Sequence, residues 1–343
     1  MIKRRLEAAE SQTTNHRTRV PKQFFVLAVG LIAGLFWVRL RALLRRIVLR
    51  RLALFPRVIG ERTPQDLGMA YEEVWFPARD GLKLHGWYIP ALPEVAPKNV
   101  TVIMGHGHTG NKEPDLGYAA FFCNAGYNVF MFDFRGHGRS EGPRGTSMGY
   151  WERLDVHGAV DWLLGRGQER FAAFGISMGA SILVMASAEN PYIKAVVSDS
   201  AYAHLYRSIA AEINNMYRLP LWLARPLAHY AWRILASHHS FPLDLASPAD
   251  YVAKIAPRPL LIIHGEKDRL TRVENAYILY QLAGQPKELW IQPEVAHAQG
   301  YITYGPVYER RILDFLEQVD WDSAPDLHAP ARTLDGIAVS GNG

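Results

Sequence analysis

Cysteine is almost absent from this chain of 343 residues. The single cysteine, Cys123, excludes an intramolecular disulfide and is compatible with a reducing compartment. Because Cys123 lies in an apolar stretch typical of a helix, we predict that its thiol is buried and chemically inert. The sequence also contains no internal repeat.

The central part of the chain has no excess of basic residues. The formal net charge is +5, yet residues 1–60 hold 13 of the 38 lysines and arginines and only 2 of the 33 acidic residues. The remaining residues are therefore net acidic. A nucleic-acid-binding protein carries its basic residues on the folded domain, so we predict no nucleic-acid partner.

The N-terminal apolar run is shorter than the roughly 20 residues that a membrane-spanning helix usually needs. It covers residues 24–38, which is 15 residues of apolar side chains and glycine. With Lys22 and Arg39 extending toward the interface, this run is long enough for a thin bilayer. Residues 39–52 then interleave arginines with leucines, which favours an interfacial helix on anionic lipid. We predict that residues 1–60 form a membrane anchor and a basic amphipathic segment.

No small-residue cleavage site follows the apolar run, which argues against a removed signal peptide. Seven arginines lie between Arg39 and Arg57, whereas three of the six basic residues before the run are far from it in sequence. Positively charged flanks stay on the cytoplasmic side, so we expect the rest of the chain there. An N-terminal helix docked on a partner protein is the alternative.

Strand-like and helix-like segments alternate from about residue 70 onward. The first two strands read as an antiparallel pair, at residues 71–76 and 82–89. Apolar runs suited to buried parallel strands follow at residues 100–104, 127–132, 170–174, 195–197, 260–263 and 288–291. Helix-like segments lie at residues 115–124, 150–165, 178–188, 273–282 and 308–319. This alternation predicts an α/β fold over residues 61–320, with a mostly parallel sheet and helices on both faces.

Two stretches do not follow this alternation of strands and helices. Residues 201–257 are rich in aromatic side chains and contain no clear strand, so we predict a small helical insertion, or cap, over the sheet. Residues 321–343 are rich in alanine, proline, glycine and aspartate, which predicts a disordered tail.

The pattern Gly-x-Ser-x-Gly occurs twice, around Ser140 and around Ser177. A nucleophilic serine in this pattern sits on a sharp turn between a strand and a helix. Ser177 follows the apolar residues 171–174 and precedes a helix-like segment, whereas Ser140 is followed by Gly142-Pro143-Arg144-Gly145, which cannot begin a long helix. We therefore predict Ser177 as the nucleophile and Ser140 as a loop residue.

A serine hydroxyl needs a general base, and the base needs an acid that orients it. In this arrangement the chain order is serine, acid, histidine. Asp268, in a polar loop after the strand at 260–263, is the best acid, with Glu266 and Asp199 as alternatives. Of the two histidines that follow, His328 lies in the tail, and we predict His297 as the base.

An oxyanion hole needs two backbone N–H donors directed at the developing negative charge. The first donor is predicted to be Met178, directly after the nucleophile. The second should come from the loop Gly105-His106-Gly107-His108-Thr109-Gly110-Asn111, where we choose His108. His106 is better interpreted as a structural hydrogen-bonding residue than as a base.

The ordered motifs resemble the α/β-hydrolase superfamily, and in particular the Bem46-like group with an N-terminal membrane segment. The resemblance covers roughly residues 70–320. It rests on His106-Gly107-His108-Thr109-Gly110-Asn111, Asp133-Phe134-Arg135-Gly136-His137-Gly138-Arg139-Ser140, Gly175-Ile176-Ser177-Met178-Gly179, His264-Gly265-Glu266-Lys267-Asp268 and Ala296-His297. His108 stands where relatives often have a smaller or amide residue.

The resemblance implies hydrolysis of esters, thioesters or amides through an acyl-enzyme, with Ser177, Asp268 and His297 as the triad. It implies neither a metal nor an organic cofactor. The aromatic insertion and the N-terminal segment favour a substrate with an apolar acyl group, either a small-molecule or lipid ester or an acylated protein. The alternatives are a serine peptidase or amidase of related fold, and a membrane-anchored scaffold without turnover.

Overall fold

The computed structural model describes residues 22–52, 55–143, 145–242 and 247–323. The chain divides into two compact units, Met1–Ile47 and Val48–Gly343. The sequence predicts a domain boundary at residue 60, and residues from 55 onward make ring contacts and hydrogen bonds within the second unit. The predicted disordered tail lies outside the described residues from position 324 onward.

A long helix, α1, covers Lys22–Leu52. Its residues up to Ile47 belong to the first unit, and those from Val48 onward belong to the second. Many of its apolar side chains are exposed, among them Leu27, Ile32 and Val38 at 69%, 67% and 66%. Within the ranges that the structure describes, no helix combines the length and the apolar character needed to cross a membrane.

The second unit is built on an eight-stranded sheet. Its strands are β1 Glu72–Pro77, β2 Lys83–Ile89, β3 Thr101–Gly105, β4 Asn128–Phe132, β5 Phe171–Ile176, β6 Ile193–Asp199, β7 Leu260–Gly265 and β8 Lys287–Gln292. They are ordered β1-β2-β4-β3-β5-β6-β7-β8. The pairs β1–β2 and β2–β4 are antiparallel, and every other neighbouring pair is parallel. The antiparallel pair β1–β2 and the mostly parallel sheet agree with the sequence analysis, which did not predict the antiparallel pairing of β2 with β4.

Helices cover both faces of the sheet. They are α2 Leu116–Asn124, α3 Glu152–Leu164, α4 Met178–Glu189, α5 Leu205–Tyr217, α6 Leu221–His239, α7 Glu274–Leu282, α8 Gly300–Tyr304 and α9 Pro306–Glu317. Short 3-10 helices lie at Pro64–Leu67, Glu113–Asp115, Pro248–Asp250 and Val252–Ile255. The described part of the predicted insertion, residues 201–242 and 247–257, is helical and contains no strand.

Side chains that alternate along each strand divide the interior into two cores. Ile103 packs with Val196, α3, α4 and the insertion on one face, whereas Val102 packs with Val197, α2 and α9 on the other. Because both faces are covered, the central strands are apolar at nearly every position and read as continuous runs.

Strands β6 and β7 extend beyond their predicted ends. The parallel pairing continues through Ser198↔Ile262 and Asp199↔Ile263, so polar residues are included in the ladder. Their carboxyl ends meet the end of β5, because parallel strands end at the same edge of a sheet. That edge carries the candidate active site.

Candidate active site

Ser177 lies at the turn between β5 and α4, at the carboxyl edge of the sheet. Its backbone has φ 56° and ψ −116°, in a region that non-glycine residues rarely occupy. The Ser177 N–H donates to the Asp199 carbonyl at 2.8 Å and ties the turn to the end of β6. The turn leaves Ser177 half-buried, whereas its neighbours Ile176 and Met178 are buried.

The two glycines of the motif are needed because the backbone packs closely on both sides of Ser177. A Cβ on Gly175 would lie 2.6 Å from the Ala180 nitrogen, and one on Gly179 would lie 2.0 Å from the Gly105 carbonyl oxygen. Both distances are far below normal contact. The contact at Gly179 also shows that the start of α4 lies directly against the end of β3.

His297 connects the serine to a carboxylate. The Ser177 hydroxyl lies 2.9 Å from His297 Nε2, and His297 Nδ1 lies 2.6 Å from Asp268 Oδ2. An ionised carboxylate can only accept, so Nδ1 carries the imidazole proton. Nε2 is then free to accept the proton of Ser177. The structure thus brings together the three residues that the sequence selects.

Asp268 is buried and its two oxygens are fully engaged. Oδ1 accepts from the backbone N–H groups of Leu270 and Thr271 at 2.8 and 2.9 Å. Burial raises the pKa of the Asp268 carboxyl, but hydrogen bonds from His264 and His297 outweigh this effect and hold the pKa below its ordinary value. Asp268 is therefore ionised and fixed in orientation, as an acid that orients a histidine must be.

Sequence reasoning missed two residues that hold this pair. The Thr271 hydroxyl lies 2.8 Å from Asp268 Oδ2 and 3.0 Å from His297 Nδ1. His264 donates from Nε2 to the Thr271 carbonyl and lies 3.3 Å from Asp268 Oδ2. His264 belongs to the motif that contains Asp268, so its position was available from the sequence, whereas no local pattern marks Thr271.

The two alternative acids make other contacts. Asp199 is buried and accepts from the Tyr308 hydroxyl at 2.7 Å and from the Ser200 hydroxyl at 2.8 Å. Glu266 is exposed and accepts from the Glu294 N–H at 3.3 Å. His297 Nδ1 is within hydrogen-bond distance of Asp268 instead, so neither alternative orients the imidazole.

Ser140 is a buried loop residue. Its hydroxyl donates to the Asp133 carbonyl at 2.5 Å and accepts from the His85 N–H at 2.9 Å. Gly138, with φ 44°, has no room for a side chain, because a Cβ there would lie 2.2 Å from the Asp133 carboxylate. The second copy of the pattern therefore shapes the turn after β4. We call residues 133–142 the arginine loop.

Residues 105–111, which we call the histidine loop, run beside Ser177. A Cβ built on Gly107 would lie 3.9 Å from Ser177 Cβ. His108, the next residue, is half-buried, and its ring lies edge-on to that of Phe55 at 5.0 Å. The predicted second donor therefore lies in a segment adjacent to Ser177.

Met178 is the first residue of α4 and is buried. The first N–H groups of a helix have no intrahelical acceptor, and they form the positive end of the helix dipole. The start of α4 can therefore stabilise negative charge beside Ser177.

His106 is a structural hydrogen-bonding residue, as the sequence predicts. It accepts from the Phe134 N–H at Nε2, at 3.1 Å, and donates from Nδ1 to the Gly107 carbonyl, at 2.8 Å. Burial lowers its pKa, so the ring stays neutral. It joins the histidine loop to the arginine loop.

No group of three or more metal-ligating side chains occurs in the described ranges of the chain. A cavity of about 620 Å³ lies between Pro191, Lys194, Arg258 and Lys287, near the amino ends of β6, β7 and β8. Ser177 lies at the opposite, carboxyl edge of the sheet, so this cavity does not belong to the candidate active site.

Comparison with known proteins agrees with the fold of the second unit. Residues 100–234 match a family model described as the alpha/beta hydrolase fold. The chain is 32% identical to the uncharacterized protein YfhR of Escherichia coli strain K12 over 253 residues, 71% of this chain and 80% of that protein. It is 26% identical to the alpha/beta hydrolase domain-containing protein WAV2 of Arabidopsis thaliana over 264 residues, 75% and 82% of the two chains.

Solved structures include a similar esterase from Pyrococcus furiosus. The alignment has a TM-score of 0.62 and 29% identity, and it covers 77% of this chain and 98% of that one.

Proposed function

The chain belongs to the α/β-hydrolase superfamily, and from this premise we propose that it is a serine hydrolase that cleaves carboxylic ester or thioester bonds. The observation that carries the proposal is the continuous hydrogen-bonded series from the Ser177 hydroxyl through His297 to Asp268, at 2.9 and 2.6 Å. The strained backbone of Ser177 supports it, since it holds the hydroxyl against the imidazole.

In the proposed reaction, His297 Nε2 takes the proton of Ser177 while the serine oxygen attacks the substrate carbonyl carbon. The resulting oxyanion accepts hydrogen bonds from the N–H groups of Met178 and His108. His297 then gives its proton to the departing alcohol or thiol, which leaves an acyl-enzyme. Water repeats the cycle: it loses a proton to His297, attacks the ester carbon and releases the acid and Ser177. The reaction requires neither a metal nor an organic cofactor.

We propose an apolar acyl group in the substrate, from a small-molecule or lipid ester. The aromatic insertion supports this choice, because Trp222, Tyr217 and Leu223 of its helices α5 and α6 are exposed. Such side chains are suited to contact with apolar ligands. The esterase from Pyrococcus furiosus supports ester chemistry by its similarity.

A series of p-nitrophenyl esters of increasing acyl length, compared with aminoacyl amides, tests this proposal. We expect turnover of esters, with kcat/KM rising toward longer acyl chains, and little turnover of amides. In Ser177→Ala, kcat should fall by about 10⁴-fold or more, because the covalent route is lost. Full activity in Ser177→Ala, or preference for amides, would overturn the proposed reaction.

We further propose that α1 attaches the chain to an anionic lipid surface, with the second unit on the cytoplasmic side. The exposed apolar side chains of α1 and the arginines in its C-terminal half support this. Sedimentation with phosphatidylserine vesicles should retain the wild-type chain and lose the double variant Leu31→Glu, Ile32→Glu. Equal recovery of both proteins in the supernatant would contradict attachment.

A further inference from the structure

The segment that follows α1 crosses both loops beside the proposed nucleophile. Residues 55–62, which we call the strap, have no regular secondary structure and belong to the second unit. Phe55, Arg57 and Val58 contact the histidine loop or the arginine loop. A mere tether between a helix and a domain does not require such contacts.

Arg57 fixes the strap to the arginine loop. Its Nη1 donates to the Ser140 carbonyl at 2.6 Å, and its Nη2 donates to the Gly142 carbonyl at 2.5 Å. Hydrogen bonds from a charged guanidinium are stronger than neutral ones, and two donors in one plane define the orientation. Arg57 therefore holds the main chain of the strap at one position on this loop.

Phe55 fixes the strap to His108. The Phe55 ring is buried and lies 5.0 Å from the ring of His108, at 85°, and 4.9 Å from that of His137. The ring of His137 in turn lies 4.9 Å from that of His106. Phe55 thus closes a set of packed rings that links the two loops beside Ser177.

Two of the histidines in this ring cluster, His106 and His137, are buried and neutral. His137 donates from Nδ1 to the Arg135 carbonyl at 2.9 Å, and among the described residues its Nε2 has no hydrogen-bond partner. Burial, with a contribution from His106, lowers the pKa of His137 to about 4. An uncharged aromatic ring such as Phe55 is suited to cover it, and truncation of Phe55 would open a cavity beside His108.

Val58 adds a contact at the far end of the histidine loop. Its carbonyl accepts from Asn111 Nδ2 at 3.0 Å, while Asn111 Oδ1 accepts from the Glu113 N–H at 2.7 Å. The strap therefore contacts the histidine loop at His108 and again three residues later. A loop held at two points has little freedom to move its backbone donors.

From these contacts we propose that the strap positions the oxyanion donor, with Phe55 and Arg57 as positioning residues that act through His108. The inference rests on the proposed function of Ser177 and His108. A displaced donor stabilises the tetrahedral intermediate less and affects substrate binding little, because the oxyanion exists only after attack. The segment next to α1 would then be part of the catalytic apparatus and not a passive linker.

The test is to measure ester hydrolysis and phenylboronic acid inhibition in full-length Phe55→Ala and Arg57→Ala. Phenylboronic acid forms a tetrahedral adduct with the serine oxygen, so its affinity reports on the oxyanion hole. We expect kcat to fall by about tenfold or more and boronate affinity to fall by a similar factor, with KM changed by less than about twofold. Phe55→Leu, which refills most of the volume, should recover most of the rate.

Two control variants match the chemistry of these changes. Ile59→Ala shortens an exposed apolar side chain on the same strap, and Arg79→Ala removes an arginine from an exposed ion pair with Asp161. Both should keep wild-type kcat and boronate affinity. If Phe55→Ala does not fold, as judged by circular dichroism, Arg57→Ala carries the test.

Unchanged kcat and boronate affinity in folded Phe55→Ala and Arg57→Ala would overturn the inference, even if their melting temperatures fell. An equal loss in the controls would also overturn it, because the effect would not depend on the loop contacts. A wild-type chain that turns over no ester and forms no boronate adduct would refute the proposed function itself, and the inference with it. The wild-type rate tests the proposed function. The ratios of kcat and boronate affinity between each variant and wild type test the role of the strap.

Discussion

At Ser177 the chain takes a backbone conformation that a serine adopts only when its surroundings impose it. The turn has φ 56°, a hydrogen bond to the Asp199 carbonyl, and a helix that begins at the next residue. Such strain costs on the order of 1–3 kcal/mol and is found mainly at functional sites. Gly179 makes the turn possible, because any side chain there would meet the Gly105 carbonyl.

Gly179→Ala tests this packing. Its added Cβ would lie 2.0 Å from the Gly105 oxygen, so β3 and α4 must separate. We expect the free energy of unfolding to fall by about 2 kcal/mol or more, and ester turnover to fall because the histidine loop follows Gly105. Urea denaturation and p-nitrophenyl ester hydrolysis measure the two effects.

Gly165→Ala is the matched control. Gly165 has φ −61°, and the nearest atoms to an added Cβ are carbonyl oxygens at 3.5 Å. Its free energy of unfolding should change by less than about 1 kcal/mol. Equal behaviour of the two variants would show that the close approach at Gly179 is not a constraint.

Residues that the sequence did not reveal are those whose partners are distant in the chain. Ser177, Asp268 and His297 were predictable because each follows a strand and they occur in the required order. Thr271 and Phe55 carry no such pattern. Their contacts with the site depend on how β6, β7 and the histidine loop are arranged in space. Local periodicity in the sequence does not specify that arrangement.

Among the structural elements, β4 and the two loops are joined by one buried carboxylate, Asp133. It accepts from the backbone N–H groups of Lys112 and Arg139, both at 3.0 Å, and from the Lys112 ammonium at 2.7 Å. Lys112 also lies over the ring of Trp87 at 4.3 Å. Lys112, which follows the histidine loop directly, and Arg139 of the arginine loop are therefore held by the same carboxylate.

Asp133→Asn tests this junction through its pH dependence. Burial raises the pKa of Asp133, but hydrogen bonds and charges from His85 and Lys112 outweigh it, so the folded-state pKa lies below the ordinary value. A depressed carboxyl pKa contributes stability above the unfolded pKa of about 4, and this stability is lost as pH falls below it.

We therefore expect Asp133→Asn to lower the free energy of unfolding by about 3–5 kcal/mol near neutral pH, because Lys112 loses its partner. The difference from wild type should shrink as pH falls toward about 3. Urea denaturation across that range measures it. Asp161→Asn, in an exposed ion pair with Arg79, should cost less than about 1 kcal/mol throughout. A difference for Asp133→Asn that does not change with pH would contradict this account.

For the whole molecule, the sequence predicts the architecture of the second unit closely. The apolar runs became the central strands, because a parallel sheet covered on both faces needs continuous apolar residues. The sequence alone predicts that the N-terminal segment extends to residue 60. Residues 55–62 have no periodicity that marks them as part of a domain, and only their contacts with the two loops assign them there.

The central claim is that Ser177 is a nucleophile activated by His297, and covalent labelling tests it most directly. The full-length wild-type chain should react with a fluorophosphonate and gain the mass of one adduct, located by peptide mass spectrometry at Ser177. His297→Ala should label far more slowly, and Ser140→Ala should label like wild type if it folds. An unlabelled wild-type chain, or an adduct that persists in Ser177→Ala, would contradict the account.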